Sequence, residues 1–213
     1  LSDYQKNYEM WTPYAKARVY LIEGILGSPL ATYASSLMSV ERALVETGKT
    51  ENDLKKALRA AAASLKTFLE NEDLPSDKII MAKTAMMFYK DVDKSQHPVE
   101  FFQGIKDKFG PLNSEDTYKK WADFVSSNTM IMNDAKWDAF MEKPDAVMLQ
   151  NDPAFAYASA FVKNYTSKYV SLSTAFRTKN DELGRLYLKG IMEKNPAAVN
   201  KRYPDANFSM RVS

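Results

Sequence analysis

The residues of this chain that could do chemistry are few, and they do not combine into a known catalytic pattern. His97 is the only histidine, so any Ser-His-Asp arrangement would have to use it as the base. It stands between Gln96 and Pro98, in a segment that we expect to be an exposed loop, and we interpret it as a surface residue. The chain has no cysteine and no Ser-x-x-Lys sequence, which removes thiol and serine/lysine chemistry.

Metal and nucleotide sites also have no sequence signal. A zinc site commonly needs two or more histidines or cysteines, and phosphate-binding turns need clustered glycines. The glycines here are isolated, and neither GxGxxG nor GxxxxGK occurs. We therefore predict no catalytic, cofactor-binding or metal-binding residue in this chain, and no cofactor.

Neighbouring carboxylates are the remaining candidates, because paired carboxylates can perform acid–base catalysis when burial separates their pKa values. The candidates are Glu70/Glu72/Asp73, Asp91/Asp93 and Glu115/Asp116. All of them lie at predicted helix ends, where acidic side chains favour the helix dipole or solvent. We interpret them as solvated, and an all-helical enzyme with a carboxylate site in its core is a minor alternative that metal uptake would test.

Aromatic residues are abundant and recur at helical spacing, which favours a role in helix–helix packing. Tyrosines are also rigid and amphipathic, so a subset of them is a candidate for a binding surface. The principal aromatic residues are Tyr4, Tyr8, Trp11, Tyr14, Tyr20, Phe88, Tyr89, Phe101, Phe102, Tyr118, Trp121 and Trp137.

Apolar residues recur three and four positions apart for about 200 residues, which predicts a chain of helices. Helix-start signals are Ser28 before Pro29, Thr50 with Asp53 in capping-box position, Ser76, and Asp152 before Pro153. Thr12-Pro13 could restart the first helix. The first predicted helix ends near Gly27. The helices predicted after it cover residues 29–47, 50–70, 77–92, 99–109, 114–125, 130–141, 145–149 and 153–194.

The last of these helices is the longest and would extend roughly 60 Å at about 1.5 Å per residue. A helix of this length needs partners along its whole length. We therefore predict an all-α fold, an elongated antiparallel helical domain in which residues 1–70 and 153–194 run side by side.

The final residues break the helical period. Phe208, Met210 and Val212 alternate with polar residues, which is typical of a half-buried strand. A lone strand leaves its backbone groups unmatched. We expect a helical domain over 1–201, the start of an orphan strand over 202–213, and a longer protein to which both belong.

The tail resembles one bacterial peptidase family. Arg185-Leu186-Tyr187, Gly190-Ile191-Met192 and the run from Tyr203-Pro204-Asp205-Ala206-Asn207 to Val212 are similar to a signature of the serine dipeptidyl peptidases that include dipeptidyl peptidases 7 and 11. In that family a long helix leads into a YPDAN-[FS]-[ST]-x-R strand.

The resemblance implies that the chain is a helical cap inserted into a chymotrypsin-like catalytic domain, where it would cover the active-site cleft. The parent would release dipeptides from peptide N-termini, with a peptide as substrate and the catalytic domain of the same chain as partner. Because the family's triad lies outside these residues, we expect this segment to be inactive by itself. The resemblance also implies a periplasmic or cell-surface location and is compatible with a homodimeric parent.

Composition limits the other classes of function. The net charge is +2, with acidic and basic residues interspersed, so we expect no nucleic-acid partner. No apolar run is long enough to predict a membrane span. A non-enzymatic helical binding or scaffold module remains the alternative.

Overall fold

A computed structural model describes residues 1–195, and within them the regular structure is entirely helical. This confirms the predicted all-α class, whereas the strand predicted over 202–213 lies outside the described residues. The α-helices are α1 Ser2–Val19, α2 Pro29–Ser36, α3 Met38–Val45, α4 Glu51–Asn71, α5 Leu74–Asp91, α6 Val99–Phe109, α7 Glu115–Asn128, α8 Asp134–Glu142, α9 Ala146–Gln150 and α10 Pro153–Lys194. A π-helical turn at Tyr20–Gly24 and a 3₁₀ turn at Ile25–Gly27 follow α1, and a second 3₁₀ turn lies at Lys94–Gln96.

Helix starts follow the local capping chemistry. The Ser28 hydroxyl accepts a hydrogen bond from the Ala31 amide at the start of α2. Thr50 and Asp53 form the predicted capping box at the start of α4. Asp152 accepts from the amides of Ala154 and Phe155 at the start of α10. These side chains satisfy amides that have no partner inside the helix.

Several helix boundaries differ from the predictions, and among them α8 begins at Asp134 and not near residue 130, because the Asn133 side chain caps its first turn. The helix predicted over 29–47 is divided at Leu37, where α2 ends and α3 begins. α5 begins at Leu74 rather than after Ser76, since Pro75 fits its first turn and the Ser76 hydroxyl donates to Asp73. The restart at Thr12-Pro13 does not occur, because α1 continues through Pro13 on a solvent-exposed face where the carbonyl without an N–H partner can be hydrated.

Packing divides the chain into two compact units. Unit 2 comprises Pro13–Val170 and contains most of the core. In it α5 packs against α7, α2 and α3 pack against α4, and α6 packs against α7. An aromatic cluster fills its centre, and the ring centroids of Phe88 and Phe161 are 4.9 Å apart in an edge-to-face arrangement.

Unit 1 comprises Leu1–Thr12 together with residues 171–195 of the described chain. Its contacts are largely aromatic. Tyr4 contacts Tyr187 at a centroid distance of 6.4 Å, and Trp11 stacks on Phe176 at 5.2 Å. The earlier residue of α1, Tyr4, contacts the later residue of α10, Tyr187, and the later residue Trp11 contacts the earlier residue Phe176. The two segments therefore run antiparallel within this unit.

Candidate functional site

His97 is buried, which contradicts its prediction as an exposed surface residue. It is 5% exposed, and its ring lies against Phe88, Tyr89 and Phe102 at centroid distances of 5.8, 5.3 and 5.2 Å. Its Nε2 is 2.9 Å from the Val92 carbonyl oxygen, so Nε2 carries the proton and donates it. Burial lowers the pKa of His97, and the neutral ring packs within this aromatic cluster.

The loop around His97 is fixed by α10, which explains why it is not exposed. Asn164 donates its side-chain amide to the Gln96 carbonyl at 2.8 Å. Lys168 Nζ donates to the carbonyls of Ser95 and His97 at 3.1 and 3.4 Å. These partners lie about 70 residues further along the chain, so local sequence could not reveal them.

Three clusters of neighbouring carboxylates were predicted to be solvated at helix ends. Two of these clusters, Asp91/Asp93 and Glu115/Asp116, form interactions at the surface, in agreement with that prediction. Asp93 caps the 3₁₀ turn through the Ser95 amide at 2.9 Å, and Asp91 accepts from the Tyr20 hydroxyl. Glu115 binds Lys83 and Lys119, each at 2.9 Å. Hydrogen bonds from these two lysines lower the pKa of Glu115 to about 2, so this carboxylate stays ionised and is unsuited to exchange protons near neutral pH.

The third group departs from this pattern. Glu70 is exposed beside Lys66, but both carboxyl oxygens of Glu72 are buried and have no hydrogen-bond partner among the described residues. Asp77, the first residue of the helix predicted over 77–92, is 1% exposed. Its Oδ2 accepts from the Leu30 amide at 2.8 Å.

Two further acidic side chains are buried, which the sequence did not predict, and both have structural partners. Glu41 is 4% exposed and accepts from Lys163 Nζ at 2.7 Å and Gln150 Nε2 at 2.8 Å. Asp152 is 5% exposed and accepts from the segment after α7 as well as from α10. Asp152 had a local signal as a helix cap, whereas Glu41 had none.

The surface of unit 2 carries an aromatic groove and a charged groove. A groove of about 320 Å³ lies between α6, α7 and the start of α10. Its aromatic lining consists of Phe101, Phe109, Trp121, Phe124 and Tyr157. A second groove of about 330 Å³ lies between α5 and α7 and is bordered by Lys78, Lys83, Lys119, Glu115 and Asp123. Among the described residues that line these two grooves, no nucleophile is paired with a base.

Unit 1 exposes large apolar side chains near the end of α10. Leu186 is 59% exposed, Leu188 is 50% exposed and Met192 is 38% exposed. Tyr8 on α1 is 46% exposed, although its ring contacts Phe176. Leu188 and Met192 lie four residues apart on one side of α10 and line the same surface groove, and we call this pair the apolar face of unit 1. Such clusters of exposed apolar residues are typical of surfaces that contact another protein segment or a ligand.

No group of three or more histidine, cysteine, aspartate or glutamate side chains that could hold a metal ion occurs among residues 1–195. Across that same range, none of the helices has the length and apolar character needed to cross a bilayer.

Comparison with known proteins shows what this helical chain belongs to. The family model described as Peptidase S46 matches residues 1–213. The chain is 26% identical over 216 residues to the Asp/Glu-specific dipeptidyl-peptidase of Flavobacterium psychrophilum, covering 100% of this chain and 28% of that protein. It is 23% identical over 152 residues to a dipeptidyl-peptidase 7 of Capnocytophaga gingivalis, covering 71% of this chain and 19% of that protein.

The chain therefore belongs to the Peptidase S46 family, and the resemblance of its tail to serine dipeptidyl peptidases is confirmed. It spans less than a third of the length of these curated relatives, whose names identify them as dipeptidyl peptidases.

Proposed function

We propose that this chain is the helical cap of a serine-type dipeptidyl peptidase. In the parent protein it shapes and covers the active-site cleft and thereby restricts cleavage to the second peptide bond. The observation that carries the proposal is the family match over the whole chain, combined with its 28% share of a dipeptidyl peptidase's length. Family membership favours this interpretation over a non-enzymatic scaffold module.

The state of His97 supports a role outside the chemical step. A serine peptidase needs a histidine that can reach the nucleophile and take up its proton. The chain's one histidine donates to a backbone carbonyl inside an aromatic cluster. The catalytic histidine of the parent is then supplied by another segment, and so are the serine and the oxyanion hole.

The apolar face of unit 1 supports a covering role, because a lid needs surface that loses water when it meets its partner. We assign this face to contact with the catalytic part of the same polypeptide or with the bound peptide. Residue preference at the cleaved position belongs to the catalytic part, and a periplasmic or cell-surface location is part of the same proposal.

The test uses the full-length peptidase that contains this chain. Leu188→Asp places a charge on the apolar face, whereas Val147→Asp, at a site in unit 2 that is 61% exposed, is the matched control. For Leu188→Asp we expect kcat/KM on dipeptidyl substrates to fall about tenfold, which corresponds to roughly 1.4 kcal/mol, and longer products to appear in mass spectrometry.

Circular dichroism of both variants checks that the helices remain folded. Wild-type kinetics and an unchanged dipeptide pattern in Leu188→Asp would contradict the proposed contact. Release of dipeptides by the 213-residue chain alone would contradict the cap assignment itself.

A further inference from the structure

Two acidic side chains meet inside unit 2, at the corner between α4 and α5. Asp77, in the first turn of α5, is 1% exposed. Its Oδ2 accepts a 2.8 Å hydrogen bond from the amide of Leu30, which lies in the first turn of α2. The Ser28 hydroxyl caps the next amide, that of Ala31, at 3.0 Å. The side chain of Glu72, at the end of α4, lies within hydrogen-bonding reach of Asp77.

In the part of the chain that the structure describes, no donor reaches the other oxygens of this pair. Asp77 Oδ1 and both carboxyl oxygens of Glu72 are buried without a hydrogen-bond partner among the described residues. A buried acceptor without a donor costs about 1–3 kcal/mol, and more when it is charged. Two adjacent buried carboxylates also repel each other, so one of them holds its proton. A proton on Glu72 removes the repulsion and gives Asp77 Oδ1 a donor, because the carboxylic acid then donates to Asp77.

We propose that Glu72 and Asp77 share one proton in the folded chain and form a pH-sensitive latch that holds the α4–α5 corner against the start of α2. The Glu72–Asp77 pair is thus a site that binds a proton. The latch is a property of the helical unit alone and does not depend on the peptidase function proposed above.

The charges around the pair favour protonation of Glu72. Burial raises the pKa of Glu72 to about 7, with further contributions from Asp77 and Asp73. α2 carries no charged side chain. On α5, Lys78 is bound to Asp123 of α7 at 2.7 Å.

From α10, the titratable group that faces Asp77 is the buried Tyr157 hydroxyl, and other lysines of α4 and α5 are paired with carboxylates. Lys83 of α5 is bound to Glu115 of α7 at 2.9 Å, and Lys66 of α4 lies 3.8 Å from Glu70. These lysines are therefore engaged by other carboxylates, and the acidic neighbours dominate the environment of Glu72.

The direction of the pH effect follows from linkage. The pKa of Glu72 rises from 4.5 in the unfolded chain to about 7 in the folded chain. Between these two pH values the folded state binds more protons than the unfolded state, and the difference is at most about one proton per chain. The stabilising contribution of the latch is therefore complete below pH 4.5 and is lost as the pH rises through about 7.

The decisive variant is Glu72→Gln, because the glutamine amide imitates the protonated carboxyl and donates to Asp77 at every pH. Urea unfolding of the 213-residue chain is followed by far-UV circular dichroism from acid to mildly alkaline pH. We expect the wild-type urea midpoint to fall relative to that of Glu72→Gln across the window from pH 4.5 to about 7. Glu70→Gln, which removes an exposed carboxylate from the same turn, should follow the wild type.

A second measurement needs no variant. The ¹³C shift of the Glu72 carboxyl carbon in the wild type should titrate well above the other glutamates. Parallel pH profiles for Glu72→Gln and the wild type would overturn the latch, as would an unfolded Glu72→Gln chain or an ordinary Glu72 titration.

Discussion

The start of α10 depends on one carboxylate, and removing it should destabilise unit 2 strongly. Asp152 Oδ1 accepts from the amides of Ala154 and Phe155, each at 3.0 Å. Its Oδ2 accepts from the Met130 amide at 2.6 Å, and both oxygens lie 3.0 Å from the Thr129 hydroxyl oxygen. The side chain therefore caps a helix and at the same time fixes the segment between α7 and α8.

The cost of Asp152→Ala has two parts. Loss of a helix N-cap costs about 1 kcal/mol. The Met130 amide is left buried without its acceptor, because Met130 is 4% exposed, and this adds about 1–3 kcal/mol. We expect the free energy of unfolding to fall by about 3 kcal/mol, a large part of the roughly 5–15 kcal/mol that stabilises a typical domain.

The assay is urea unfolding followed by far-UV circular dichroism, with Asp145→Ala as the matched control. Asp145 caps α9 through the Met148 amide at 2.8 Å, but it is exposed and has no second role, so about 1 kcal/mol should be lost. Asp152→Asn keeps one acceptor oxygen and should fall between the two alanine variants. An Asp152→Ala chain no less stable than Asp145→Ala would refute the reasoning.

The remaining predictions concern one ion pair and one turn. Lys163→Met leaves Glu41, 4% exposed, without its cation, and should lower the unfolding free energy by about 2–4 kcal/mol; an unchanged urea midpoint would show that the pair is not needed. Gly110→Ala should cost about 1–2 kcal/mol, because Gly110 has φ +123° and an added Cβ would lie 3.1 Å from Thr117 Oγ1. Gly104→Ala, inside α6 with open space around it, is the control and should stabilise the chain by about 0.5–1 kcal/mol; equal effects at the two glycines would contradict this.

Helix content and helix starts could be predicted from the sequence because both depend on neighbours along the chain. Ser28 caps an amide three residues away, and so does Thr50. The family could be predicted for a different reason, since the tail motif from Arg185 onward is a linear pattern. The division at Leu37 was missed because apolar spacing continues through it without a glycine or proline.

Burial of polar side chains was decided by the tertiary structure. Asp77 was predicted only as the first residue of a helix, but its acceptor role requires the Leu30 amide 47 residues earlier. His97 was assigned to the surface, but α10 covers its loop through Asn164 and Lys168. Glu41 is matched by Lys163, 122 residues later.

The sequence by itself thus determined that the chain is helical, where most helices begin, and to which peptidase family it belongs. Only the tertiary structure decided which ionisable groups leave water. A cap or a helical period is set by interactions over three or four residues, whereas burial is set by which distant elements pack together. The Glu72–Asp77 pair illustrates this, because its carboxyl groups are ordinary acids in the sequence and become a proton-binding site only when α2 packs over their corner.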